Sequence, residues 1–181
     1  MAEWNELIDF WFSDHARERW FAVDPDFDAE LGRRFGASCE RAMQGACDHW
    51  QMTPEGALAL VLALDQLPRN LFRGTARAYA ADAAARRVAR FAVQRGDDRG
   101  MDEERRVFFY LPFEHSEDLL DQELCVRLMR QLGERPENLR YAERHLEIIA
   151  RFGRFPHRNK ALGRETTAAE EAFLGEPMSS F

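Results

Sequence analysis

Several features that classify a protein quickly are scarce or missing in this chain. Cysteine is one: Cys39, Cys47 and Cys125 make an odd count with no CxxC pair, which excludes a disulfide framework and a thiolate zinc site and fits the reducing cytoplasm. Long apolar runs are another. The longest, Ala57 to Leu64, is far below the roughly 18 to 20 residues that a membrane span requires. Glu3, Glu6 and Asp9 also place acids where a secretory signal would be basic and then apolar. There is no nucleophile elbow, glycine-rich phosphate loop or HExxH pair, so acyl transfer, nucleotide and zinc-protease chemistry have no anchor, and no cofactor is expected. Basic charge does not dominate either: 32 acidic against 25 basic side chains give a net charge of -7. That balance argues against general affinity for nucleic acid or for an anionic membrane surface.

What is present is helical periodicity almost everywhere, with almost no strict alternation, so an all-α fold is expected. At 181 residues with no linker, one domain over 1–176 and a loose tail over 177–181 are expected. Trp4, Leu7, Ile8 and Trp11 make one stripe. Asp24-Pro25 and Thr53-Pro54 each read as an N-cap followed by proline in the first turn, the former opening a helix through Phe27, Leu31, Phe35 and Cys39 to about Met43. The helix from Pro54 is apolar all round, which marks it as central, and Pro68 is expected to interrupt it. Thr75 is read as capping an alanine-rich helix that ends before Gly96, and Asp102 as opening a short helix ended by Pro112. Ser116 is read as the next N-cap, with Glu117 and Asp118 in the first turn and Gly133 at the close. Pro136 starts a helix that turns His145 inward and stops at Gly153 and Pro156; Thr167 caps the last segment, to Leu174. About six to eight helices on short connections predict stacked antiparallel hairpins.

Polar clusters stand out against this background. Asp65, in the last turn of the most apolar helix, needs a partner, and Arg69 four residues on can supply one. Asn70 and Arg73 can cap the carbonyls left free there. Such a group either fixes a helix end or faces a ligand. Glu114, His115, Ser116 and Glu117 fall between a proline and a helix start, where side chains project into clefts. Ser116 and Glu117 have capping explanations; His115 has none, and a histidine beside carboxylates can serve as a general acid or base. The run Arg151-Phe152-Gly153-Arg154-Phe155-Pro156-His157-Arg158-Asn159 is the densest cationic stretch. Arg154 and Arg158 there are forked donors suited to a carboxylate or phosphate. A metal site built from His115, His145 and His157 gets little help from spacing, and none is predicted.

The motifs Phe10-Trp11-Phe12, Leu64-Asp65-Gln66-Leu67-Pro68-Arg69-Asn70, Arg73-Gly74-Thr75 and Phe109-Tyr110-Leu111-Pro112-Phe113-Glu114-His115-Ser116-Glu117-Asp118 have a further meaning. With the 151–159 run, Leu162-Gly163-Arg164 and Glu170-Glu171 before Phe173-Leu174, they resemble the bacterial domain-of-unknown-function family 924 over nearly the whole chain. The resemblance implies an all-helical fold similar to tetratricopeptide repeats, and it implies no settled activity or catalytic residues.

Three functions follow as expectations. In the first, Asp65, Arg69, Asn70, Glu114, Arg154, Arg158 and Asn159 contribute to a pocket for a small anionic molecule or peptide carboxylate. In the second, the same pocket is an enzyme site in which His115 or His157 moves a proton and Glu117 or Glu114 orients it. In the third, the chain is a protein-protein interaction scaffold whose polar motifs merely lock helix ends. A homo-oligomer is compatible with each.

Overall fold

Polar caps set most of the helix starts in the computed structural model, which describes residues 4–133 and 136–180. Helix α1 covers Asn5–Trp11, and α2, Asp14–Arg17, begins where Ser13 Oγ accepts the N–H of Ala16. Asp24 accepts from the N–H groups of Asp26 and Phe27, and Pro25 opens α3, Pro25–Met43. Thr53 accepts from Gly56 to start α4, Pro54–Val61. Beyond it lie α5 (Leu67–Leu71), α6 (Asp82–Arg95), α7 (Glu103–Glu114), α8 (Leu119–Met129), α9 (Pro136–Phe152) and α10 (Ala168–Leu174). Among the described residues there is no strand, so the chain is all-α as the periodicity predicts.

Several boundaries differ from the sequence reading, each for a physical reason. Pro68 does not end the central helix. A π-turn over Leu62–Gln66, in which the Leu67 N–H reaches back to the Leu62 carbonyl, widens the backbone just before the proline and lets α5 continue. Pro112 likewise sits inside α7, which runs on to Glu114. Thr75 donates its hydroxyl to the Phe72 carbonyl and only precedes a short 3-10 turn, Ala76–Tyr79, without a side-chain capping bond; the alanine-rich helix starts later, at Asp82, and ends at Gly96 with φ 82° as expected. Asp118, not Ser116, caps α8 by accepting from Leu120; Ser116 Oγ stands two residues earlier, where it accepts from the Asp118 N–H and donates to Asp121. Helix α8 is over by Met129, before Gly133. After Pro177, Ser179 is buried and donates to the Leu174 carbonyl, and Arg144 donates to the Met178 carbonyl.

The core forms around α4. No residue from Ala57 to Leu64 is more than 1% exposed, because α1 packs on one side and α6 and α7 on others. Each leucine removed from water there contributes about 2 kcal/mol. Helices α6, α7, α8 and α9 each pack on the next in chain order, as successive hairpins do. Trp11, Phe12, Trp20 and Phe108 close the end near α1 and α2 with edge-to-face contacts of 4.8–5.7 Å. A satellite cluster of Ile148, Ile149, Phe155 and Phe173 ties α9 and α10 to the Pro156–Arg158 turn. Among the described residues no helix is long and apolar enough to cross a membrane.

Candidate functional site

The π-turn brings Asp65 to the inner side of the central helix, where it is wholly buried. It accepts from Gln66 Nε2 at 2.5 Å and from His115 Nδ1 at 2.8 Å, and Arg69 Nη1 lies 3.2 Å away. The acid-base spacing of four residues therefore pairs as expected, since the helix persists through Pro68. Burial opposes ionisation of Asp65, but Arg69 and His115 more than offset it and hold the carboxyl well below its ordinary range. Arg69 also forks onto Asp82 in the first turn of α6, at 2.9 and 3.1 Å. Asp82 in turn meets Arg158, whose Nη1 is 3.4 Å from Oδ2.

Arg158 is 5% exposed and lies between two rings, its guanidinium carbon 4.7 Å from the centre of Tyr79 and 4.4 Å from that of Phe155. Burial and the neighbouring Arg69 bring its pKa down to about 10, so it remains a cation at neutral pH. Its Nε has no hydrogen-bond partner among the described residues.

Helix α7 delivers the next pair. Glu114 is its last residue and His115 its C-cap, and Gln122 of α8 fixes that turn by donating to the carbonyls of Glu114 and Ser116. Burial, with Asp65 close by, pushes the Glu114 carboxyl up to about 8, so it is protonated at neutral pH. Burial and Arg69 lower His115 against the opposing pull of Asp65. A neutral His115 donates from Nδ1 to Asp65, leaving Nε2 as the basic nitrogen. His145 bonds the Tyr141 carbonyl through Nδ1, which is also 3.6 Å from Glu114 Oε1. The ring of Phe155 lies between those of His145 and His157, at 5.4 and 5.6 Å. Burial brings both histidines down to about 3.

These groups border a cavity of about 770 Å³. Of the residues singled out in the sequence, Arg69, Asn70, Arg73, Glu114, His115, His145, His157 and Arg158 line it, and Asp65 stands directly behind His115. Asn70 is turned toward Asp28, to which it donates at 2.7 Å; Arg73 bonds the same carboxylate, so neither caps a helix carbonyl. Glu117, Arg154 and Asn159 are not on the cavity wall. Glu117 accepts from the Phe155 N–H at 2.8 Å and pairs with Arg164 at 2.8 and 3.0 Å, so it orients no histidine. Arg154 forks onto Glu170 at 2.6 and 2.9 Å instead of joining Arg158, and Asn159 accepts from Arg164 and donates to Glu170. Together these three clamp the segment that presents Arg158. Tyr79, Gln66, Trp20, Phe21 and Tyr141 also line the cavity, and none was anticipated as a site residue. Two of them had a signal: Gln66 lies next to Asp65 in the Leu64–Asn70 motif, and Tyr141 stands four residues before His145, on the same side of α9. Although His115, His145 and His157 share one cavity, no three metal-ligating side chains group together among the described residues.

A helical chain with a charged, aromatic-walled cavity at the turn ends of its hairpins is the class that this geometry defines. Within that class, residues 7–178 match the family described as "Bacterial protein of unknown function (DUF924)", and the chain belongs to that family. Among solved structures it is similar to a protein of unknown function, ATU0120, from Agrobacterium tumefaciens. The two are 44% identical, with a TM-score of 0.90 over 95% of this chain and 96% of that one. No curated protein matches the chain.

Proposed function

We propose that the cavity binds a small anionic molecule or peptide carboxylate, taken up by the side edge of Arg158. The observation that carries this reading is the state of that guanidinium. It is buried, its guanidinium carbon lies over the rings of Tyr79 and Phe155, and the carboxylate it bonds, Asp82, is 3.4 Å away and already shared with the better-placed Arg69. The guanidinium donors lie in one plane, the arrangement that meets a carboxylate through two parallel bonds. A buried donor without an acceptor costs about 1–3 kcal/mol, which an incoming carboxylate would remove. The cavity volume suits a small molecule. A tetratricopeptide-like scaffold role is less well supported, because the polar residues gather on a cavity wall and not along an open apolar groove. Three buried free cysteines are in keeping with a reducing compartment.

Thermal melts with benzoate, succinate and inorganic phosphate test the reading. A ligand at about 100 times its Kd adds about 2.7 kcal/mol of stability, which is several degrees in Tm for a chain of this size. At least one carboxylate is expected to raise Tm for the wild type and to fail with Arg158→Gln, while Arg158→Lys keeps a weakened response. An equal rise in Arg158→Gln, or no rise with any carboxylate in the wild type, overturns the reading.

A further inference from the structure

We propose that the cavity also works as a proton-transfer site for an enolisable 2-oxo carboxylate, with His115 Nε2 as the base and the Glu114 carboxyl as the acid. This rests on the anion-binding reading above, since the carboxylate held at Arg158 is what would bring the reacting atoms between the two groups. The geometry that points there is an acid and a base adjacent in the chain, carried by one rigid turn into one cavity. Asp65 fixes the ring of His115 through Nδ1 at 2.8 Å, so Nε2 is the nitrogen left for a ligand. Burial keeps Glu114 protonated where an ordinary glutamate would be ionised, while His115 stays neutral. Environments that push two titratable groups in opposite senses mark an acid and a base in the same reaction.

The wall also limits the chemistry. Among the described residues it holds no cysteine, and its one aliphatic hydroxyl, Ser180, has no part in the Asp65–His115 pair. A side-chain nucleophile activated by His115 is therefore missing, whereas proton transfer needs none. In the step proposed, a C–H bond next to the 2-oxo group breaks and its proton passes to His115 Nε2. The electron pair left on carbon forms the C=C bond, the carbonyl π pair moves to oxygen, and that oxygen takes the Glu114 proton. The product is the enol; reversal returns a proton from His115 to carbon and one from the enol to Glu114. Nothing is oxidised or reduced. The rings of Trp20, Phe21 and Tyr79 on the same wall favour an aryl group on the substrate.

Phenylpyruvate in D2O is the probe, with loss of its C3 proton signal followed by NMR and benzoate binding measured in parallel. Wild type, well below the probe concentration, is expected to accelerate exchange at least tenfold over buffer. His115→Gln is expected to return it to the buffer rate while still binding benzoate. If that variant fails to bind, Glu114→Gln, which leaves the Asp65–His115 bond in place, is the substitute and is expected to slow exchange at least tenfold from wild type. Exchange at the buffer rate in a wild type that binds benzoate overturns the catalytic proposal alone, as does wild-type exchange in the substituted variant. Failure of the wild type to bind benzoate and phenylpyruvate overturns this proposal, and it overturns the anion-binding reading as well when succinate also fails to raise Tm.

Discussion

Glu114 shows how a single side chain can be informative when its environment contradicts its usual chemistry. The residue is 5% exposed, its carboxyl is near ionised Asp65, and its neighbours are His145 at 3.6 Å and the Cys125 thiol at 3.9 Å. Burial raises its pKa from 4.5 in a free chain to about 8 in the fold. Below the free-chain value the group is protonated whether the chain is folded or not, and its titration has no effect on stability. As pH rises from there to about 8, the unfolded chain gains an ionisation that the folded one lacks, so stability falls; above that the loss levels off. Glu114→Gln removes this dependence. Thermal melts across pH 4 to 9 should show the variant gaining on wild type between about pH 4.5 and 8 and then keeping a constant lead. A Tm difference that does not change with pH would contradict a raised pKa.

Helix ends decide where the site forms. The start of α4 depends on Gly56, where a Cβ would sit 2.2 Å from the Trp50 carbonyl oxygen and 2.8 Å from the capping hydroxyl of Thr53. Backbone cannot yield as a flexible side chain can, so Gly56→Ala is expected to destabilise the fold by about 3 kcal/mol in urea unfolding, the upper range for overpacking. A loss below about 1 kcal/mol would show that the Trp50–Thr53 turn is free to shift. The caps at Asp24, Thr53 and Asp102, the left-handed Gly96 and the inward turn of His145 were all legible in the sequence, because each depends on residues within one or two turns. Pro68 and Pro112 misled for the opposite reason. Whether a proline stops a helix depends on how the turn before it is wound and on what buries the helix, which local spacing does not record. The site divides in the same way. Asp65–Arg69 follows from helical spacing, whereas Asp82 joins Arg69 across 13 residues and Arg158 across 76. Glu117 was placed beside His115 by adjacency alone, and the fold turns it toward Phe155 and Arg164 instead.

At the level of the complete chain, one cavity collects groups from the central helix, the end of α7, helix α9 and the 155–158 turn. The all-helical scaffold contributes by holding those ends rigidly: α7 through Gln122, and the 155–158 turn through Glu117, Arg164 and the Arg154–Glu170 pair. Charge within the cluster is nearly balanced, with Asp65 and Asp82 against Arg69 and Arg158, so the proposed recognition rests on the unpartnered Nε of Arg158 more than on net field. A crystal structure of the wild type soaked with 4-bromobenzoate measures this most directly, since anomalous scattering from bromine locates the ring independently of the protein. The expected result is bromine among the cavity's aromatic residues and the carboxylate within hydrogen-bonding distance of Arg158 Nε. A carboxylate bound away from Arg158, or an empty cavity at saturating ligand, would contradict it.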